Sequence, residues 1–378
     1  MSESSTSRVL VLNCGSSSIK YRLYDGDRVV DGGLIERIGE AGGGPPDHAA
    51  ALRDLMDRLD LGELTAVGHR VVHGGLRFSA PTVIDDDVVA AIQELVPLAP
   101  LHNPANLAGI TVARRLLPDT PQVAVFDTAF HRTLPEAAAT YAIDRAVAQE
   151  YGIHRYGFHG TSHAYVSRRT AALLGRAYED VNVITLHLGN GASVCAVAGG
   201  RSVATSMGLS PLEGLVMGTR SGDIDPAIVF HLTRNAGLSV DEVDHLLNHR
   251  SGLLGLCGAN DMREVLRRRA AGDAAATLAF DVYCRRITAY VGAYYALLGR
   301  VDAITFTAGI GENVAELRAA SLANLERLGI VVSPQRNTTG TGERIISPDG
   351  AEVAVCVVPT DEEREIATQT LAAVRELG

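Results

Sequence analysis

Two arginines stand where a guanidinium group needs a specific partner. Arg70 in GHRVVHGG and Arg220 in MGTRSGDIDP are each flanked by apolar or glycine residues, so each cation must find anionic oxygens or carbonyl groups there. Other polar residues share such settings: His102 in PLHNP, Asp127 in VFDTAFH, His159 and His163 in FHGTSH, and Glu362 in PTDEE. Next to strands or glycine turns burial is expected, and a buried polar side chain needs a reason to be there. The set suits the binding and reaction of anionic oxygens. The histidines are too dispersed for a metal site of HExxH type; each serves equally as a satisfied core or helix-start residue, and Asp127 equally as a turn or N-cap residue.

The elements that must position these groups carry a repeat. VLVLNCGSSSIK, residues 9–20, runs an apolar strand into glycine and three serines, and VITLHLGNGASV, residues 183–194, does so again. Gly15, Gly189 and Gly191 let backbone N–H groups approach an anion closely, while Ser16, Ser17, Ser18 and Ser193 supply hydroxyl donors. After each turn the chain reverses into a hairpin, KYRLYDGDRVVDGG in the first copy and ASVCAVAGGRSVATS in the second. Neither copy is a P-loop, because GxxxxGK[ST] is absent, and neither is GxGxxG followed by a helix. The pattern predicts β-hairpin phosphate clamps of the actin and sugar-kinase type, in two halves about a central cleft.

Composition limits the alternatives. The 378 residues are 46% hydrophobic and 21% charged, enough for two globular domains. A net charge of −10 with dispersed basic residues excludes nucleic acid as a partner. MREVLRRRA, the one basic run, reads as a solvated helix face. Five cysteines without CxxC spacing read as reduced core thiols, which points to the cytoplasm. No stretch is long and apolar enough for a membrane span. Lys20 is the only lysine, and it closes the first glycine/serine turn, where a compact ammonium suits phosphate.

Alternating strands and helices predict an α/β fold with functional loops at strand ends. Residues 1–145 form the first domain and 146–360 the second. In the second, FHGTSH leads into helix AYVSRRTAALLG, and strand AITFTAG ends in GIGEN. The amphipathic stretch TDEEREIATQTLAAV returns to the first domain, adding 361–378 to it.

Ordered blocks along nearly the whole chain make the resemblance specific: VLVLNCGSSSIKY, GHRVVHGG, PLAPLHNP, VFDTAFH, RYGFHGTSH, HLGNGAS, TSMGLSPLEGLVMGTRSGDIDP, SGLLGL, NDMR, FTAGIGEN and PTDEEREIA. The chain resembles the acetokinase family. The resemblance implies two duplicated actin-like ATPase (ribonuclease H-like) domains with a central cleft, a homodimer, and the conversion of ATP and acetate to ADP and acetyl phosphate with Mg2+, or Mn2+ in its place. Two departures stand out: residues 38–50 are shorter than usual, and Ala204 stands where an acidic residue is common.

The resemblance further implies that Asn13 and Glu362 hold the metal and that Lys20 lies at the ATP site. It surrounds the nucleotide with His187, Leu188, Gly189, Asn190, Gly191, Asp261, Met262, Arg263, Gly309, Ile310, Gly311, Glu312 and Asn313. Arg70 and Arg220 engage the carboxylate and the transferring phosphoryl group, Asp127 is the catalytic acidic residue, and His159 donates in the transition state. Val72, Leu101, Phe158 and Pro211 form the pocket for the acetate methyl. A carboxylate has a pKa of about 4 and needs no general base at neutral pH. The expected route is therefore direct in-line attack, with Asp127 orienting Mg2+ and an arginine. The alternatives are a propionate or butyrate kinase on the same scaffold, and a nucleotide-driven chaperone or filament protein.

Overall fold

The computed structural model describes residues 7–40, 43–100 and 102–376. Two compact units divide the chain: Met1–Arg132 with Asp361–Gly378, and Thr133–Thr360.

The first unit holds a six-stranded sheet of β1 (Arg8–Cys14), β2 (Ile19–Asp25), β3 (Arg28–Ile35), β4 (Leu64–Val71), β5 (Thr82–Val83) and β6 (Gln122–Phe126). Its spatial order is β3-β2-β1-β4-β6-β5. The second unit repeats the plan with β7 (Asn182–Leu188), β8 (Ala192–Ala198), β9 (Arg201–Thr205), β10 (Ala303–Thr307), β11 (Arg344–Ile345) and β12 (Ala354–Val357), ordered β11-β12-β10-β7-β8-β9. In each, an antiparallel three-strand meander joins parallel strands: β1 pairs with β4 and β4 with β6, β7 pairs with β10 and β10 with β12. The duplication extends to an irregularity. The register shifts between Leu23 and Tyr24 in the first hairpin and between Ala196 and Val197 in the second, the fifth and sixth residues of their strands in both copies. A bulge kept at the same place adds twist at the same place. This is the duplicated actin-like architecture.

The parallel strands are largely apolar because helices cover both faces. In the first unit Leu10, Leu12, Ile19 and Leu23 pack with Leu52 and Leu55 of helix His48–Arg58. On the opposite face Val9, Val11, Val123 and Val125 meet Ile366 and Ala367 of helix Glu362–Arg375. That helix approaches β4 closely at Gly68, where a Cβ would sit 2.3 Å from Thr370 Oγ1 and 2.9 Å from Ile366 Cγ2. All five cysteines are free and buried. Burial pushes the Cys14, Cys195 and Cys356 thiols up to about 12. Among the described residues no helix is long and apolar enough to cross a membrane.

One buried group makes stability depend on pH. His69 on β4 is 2% exposed, with Nε2 2.6 Å from Gln122 Oε1. Burial lowers its pKa to about 4, against the hydrogen bond it donates to Gln122 Oε1. The unfolded chain binds this proton near pH 6.5, so the unfolded state takes up more protons between those values. The contribution is complete above about pH 6.5 and is lost as pH falls toward 4, by up to about 3 kcal/mol. Urea unfolding at pH 7.5 and pH 5 will show this decline, and His69→Gln will flatten it; equal slopes for both proteins would remove His69 from the account.

Candidate active site

In the first unit the C-terminal ends of three parallel strands converge. Asn13 lies near the end of β1, Arg70 near the end of β4, and Asp127 directly after β6, with its N–H donating to Val71 O at 3.0 Å. The Arg70 guanidinium takes the Asp127 carboxylate as a fork, Nε to Oδ1 at 3.1 Å and Nη2 to Oδ2 at 2.5 Å. Its Nη1 donates to Asn13 Oδ1 at 3.4 Å. Asp127 is 1% exposed. Desolvation works against the charged guanidinium, yet Asp127 and Glu362 together raise the Arg70 pKa. Glu362, on the first turn of its helix, is pushed up by burial against the pull of Arg70, with Asp127 adding to the rise.

Lys20 sits opposite Asn13 in the β1–β2 register. Its Nζ lies 2.6 Å from Glu363 Oε1, a carboxylate 5% exposed on its side chain. The sequence drew attention to Glu362 and passed over Glu363, since adjacent acids at a helix start read alike until the ion pair separates them. Val72 is buried, its N–H donating to Asn106 Oδ1 at 3.1 Å. His102 is the N-cap residue of helix Asn103–Leu116. Leu101 lies outside the described residues.

In the second unit the repeat turn follows β7. Gly189 N–H donates to Gly191 O at 3.0 Å, and Asn190 O accepts from Gly218 N–H at 3.0 Å, tying the turn to the loop that carries Arg220. A Cβ on Gly218 would stand 2.1 Å from Asn190 Oδ1 and would push that side chain aside. A Cβ on Gly191 would lie 3.5 Å from His159 Nε2 and 3.7 Å from Arg220 Nη1. The turn therefore passes beside both groups.

Arg220 donates through Nη1 to Pro211 O at 2.9 Å and lies 3.5 Å from Met217 Sδ. Among the described residues no carboxylate pairs with it, and burial lowers its pKa. Its loop is anchored at two acids. Glu213 accepts from Arg155 Nη2 at 2.5 Å and from the Tyr141 hydroxyl. Asp223 accepts from Tyr290 Oη and from Gly214 N–H, both at 2.8 Å. Phe158 follows Tyr156 and Gly157, whose N–H groups both donate to Gly208 O in that loop.

His159 is left-handed, φ 56°, at the N-cap of helix Gly160–Leu173. A non-glycine residue in this region is strained and marks a position held by its surroundings. The helix thus begins at Gly160, four residues ahead of the AYVSRR start expected from sequence, with GTSH as its first turn. The His159 ring stacks on His187, centroids 4.2 Å apart. Ser193, expected to donate to an anion, is wholly buried, and its Oγ lies 2.9 Å from His159 Nδ1 and 2.7 Å from His163 Nε2.

A cavity of about 790 Å3 opens beyond the turn, lined by Gly189, Asn190, Asp261, Met262, Arg263, Gly309, Ile310 and Asn313 among others. Asp261 caps helix Met262–Ala270 and forms a fork with Arg263. Strand β10 stops at Thr307, two residues short of the Gly309 end expected from sequence, and Ala308, φ 63°, opens a short helix through Asn313. The other nucleotide candidates in this unit do not line the cavity. His187 Nδ1 is 2.8 Å from Ser162 Oγ, Leu188 and Gly311 are buried, and Glu312 accepts from Thr360 N–H at 3.3 Å.

The model of the acetokinase family matches residues 8–368. An acetate kinase of Streptomyces griseus is 63% identical over 400 residues, covering 98% of this chain and 97% of its own. One from Corynebacterium efficiens is 53% identical, covering 95% and 97%. The crystal structure of Porphyromonas gingivalis acetate kinase superposes with a TM-score of 0.92 at 42% identity, covering 97% of this chain and all of that one. A propionate kinase from Francisella tularensis gives the same score and identity, covering 97% and 99%.

Proposed function

Because this chain belongs to the acetokinase family, we propose that it transfers the γ-phosphoryl group of ATP to acetate by direct in-line attack, giving acetyl phosphate and ADP. One observation carries the site assignment: Arg220, half-buried beside Gly191, has carbonyl and thioether neighbours and no carboxylate among the described residues. A desolvated guanidinium of this kind is prepared for an incoming anion.

The attacking carboxylate is already ionised at pH 7, so the obstacle is repulsion between two anions. Arg70 and Arg220 offset that repulsion, and His159 donates to the phosphoryl oxygens in the transition state. Asp127 acts here by holding Arg70, which its bidentate pairing supports. The ATP site takes in the cavity beyond Gly189–Gly191, whose volume suits a nucleotide-sized ligand. The family resemblance supports apolar side chains, Val72 of the first unit and Phe158 and Pro211 of the second, as the contacts for the acetate methyl.

Asn13 and Glu362 supply oxygen donors of the kind Mg2+ takes. The described residues contain no cluster of three acidic, His or Cys ligands, and a Mg2+ held by one or two protein oxygens and substrate phosphates needs none. When bound, the ion neutralises charge on the phosphates. The assay is trapping of acetyl phosphate as hydroxamate, run on acetate, propionate and butyrate. Turnover highest on acetate is the expected result; a pocket discriminating by one methylene gains only about 1–3 kcal/mol. ATP hydrolysis without acyl phosphate would favour the nucleotide-driven chaperone or filament reading.

The enzyme acts as a cytoplasmic homodimer. Helix Ala227–Asn235 has no buried residue, and Ile228 and Phe230 are 42% and 56% exposed, which supports a self-association face there. Light scattering will find a dimer for the wild type and a monomer for Phe230→Asp at unchanged Tm; a monomeric wild type would refute it.

A further inference from the structure

The hydrogen-bonded pairing of β1 with β4 ends at Leu12 and His69, so Asn13 and Arg70 lie just past it, where the ladder no longer sets their spacing. A buried amide takes over. Asn106, 3% exposed on helix Asn103–Leu116, accepts from Val72 N–H through Oδ1 at 3.1 Å and donates through Nδ2 to Cys14 O at 2.7 Å. One side chain thereby joins the residue after Asn13 to the second residue after Arg70. A backbone N–H only donates and a carbonyl only accepts, so the amide sits one way round with both its ends bonded. Three residues earlier on the same helix face, wholly buried Asn103 accepts from His73 N–H and donates to His73 O, both at 3.2 Å. Three residues later, Gly109 lets the helix close on the end of β1: a Cβ there would stand 2.3 Å from Cys14 Sγ. Asparagine is a mediocre helix former, and burying its amide is costly without partners. Both residues bond backbone outside their own helix, so they serve the strand ends and the loop after β4.

We propose that Asn106 is a positioning residue for the acyl substrate: it holds the strand ends that carry Asn13 and Arg70 at a fixed separation and pins Val72, while touching no substrate itself. This deepens, and rests on, the reading of Arg70 as a carboxylate contact and Val72 as a methyl contact. The Val72 N–H is the lever. With that group bonded to Asn106, the buried Val72 side chain cannot retreat to admit a longer acyl chain, so Asn106 governs discrimination between acetate and propionate as well as rate. Asn103 fixes the next residue of the loop in the same way. The cavity assigned to ATP is lined by residues of the second unit, so nucleotide binding does not depend on this clip.

The test compares the full-length wild type with Asn106→Leu, which removes both bonds at similar volume, and Asn106→Asp, which keeps an acceptor for Val72 N–H in either protonation state. Each is assayed with ATP on acetate and on propionate. Asn106→Leu will lower kcat/KM for acetate by about ten- to a hundredfold, since a displacement of about 1 Å at a reacting group costs up to about a hundredfold, with KM for ATP nearly unchanged. Its preference for acetate over propionate will fall several-fold, within the roughly 10–200-fold that one methylene commands. Asn106→Asp will keep the wild-type preference. Amide hydrogen exchange at Val72 reads the clip without turnover, and it will quicken in Asn106→Leu but not in Asn106→Asp. Should Asn106→Leu fail to fold, Asn106→Ser, whose hydroxyl is too short to bridge both groups, takes its place. Wild-type kcat/KM and preference in Asn106→Leu, equal loss of preference in both variants, or unchanged Val72 exchange would overturn the proposal. Faster Val72 exchange in Asn106→Leu with no acyl phosphate from folded wild type would support the clip and reject the acetate kinase reading.

Discussion

Replacing Arg220 by alanine will lower kcat by about a hundred- to a thousandfold, the equivalent of about 2.7–4 kcal/mol of lost charge stabilisation, while leaving Tm close to that of the wild type. The second half of this expectation follows from the partners of the residue. Arg220 bonds to the Pro211 carbonyl and neighbours Met217 Sδ, so its removal strands no buried carboxylate. The protein also sheds the desolvation that lowers the Arg220 pKa. Its anchoring acids, Glu213 and Asp223, keep their own partners, so the loop stays in place without the guanidinium. Arg220→Lys will recover only part of the rate, because an ammonium cannot reproduce a planar fork. Turnover and thermal melting on the same preparations check both halves.

Arg70→Ala will lose activity and stability together. Asp127 is 1% exposed and receives two hydrogen bonds from Arg70, so deleting the arginine strips a buried carboxylate of its bidentate cationic partner. Breaking a buried pair from one side costs about 3–5 kcal/mol. Arg70→Met combined with Asp127→Asn removes both charges and will regain most of the folding free energy with no return of turnover. Urea unfolding of the two single variants and the double variant measures the coupling. If the double variant were no more stable than Arg70→Ala, the buried pair would not be the source of the loss.

The fold was legible where physical constraint repeats in the chain. Two glycine turns, each following an apolar strand and leading into a β-branched hairpin, announced the duplicated sheets, and both copies carry the bulge at the same strand position. Arg70 and Asp127 stood out because polar groups beside apolar strands need partners, and they proved to be each other's. Less was readable where the outcome depends on direction. The spacing of His159, His163 and Ser193 cannot tell whether a serine hydroxyl faces a ligand or two rings. Glu362 and Glu363 are adjacent acids, and only the fold assigns Lys20 to the second. The start of helix Gly160–Leu173 was missed because its N-cap is a left-handed histidine, a conformation that propensity argues against.

The most direct measurement is acyl phosphate formation by purified protein given Mg2+, ATP and acetate, with the wild type and Arg220→Ala compared at matched Tm. Rapid formation of acetohydroxamate by the wild type, with at most about a hundredth of that rate in Arg220→Ala, is the expected result. Near-normal turnover without the guanidinium, or no acyl phosphate from folded wild-type protein, would contradict it.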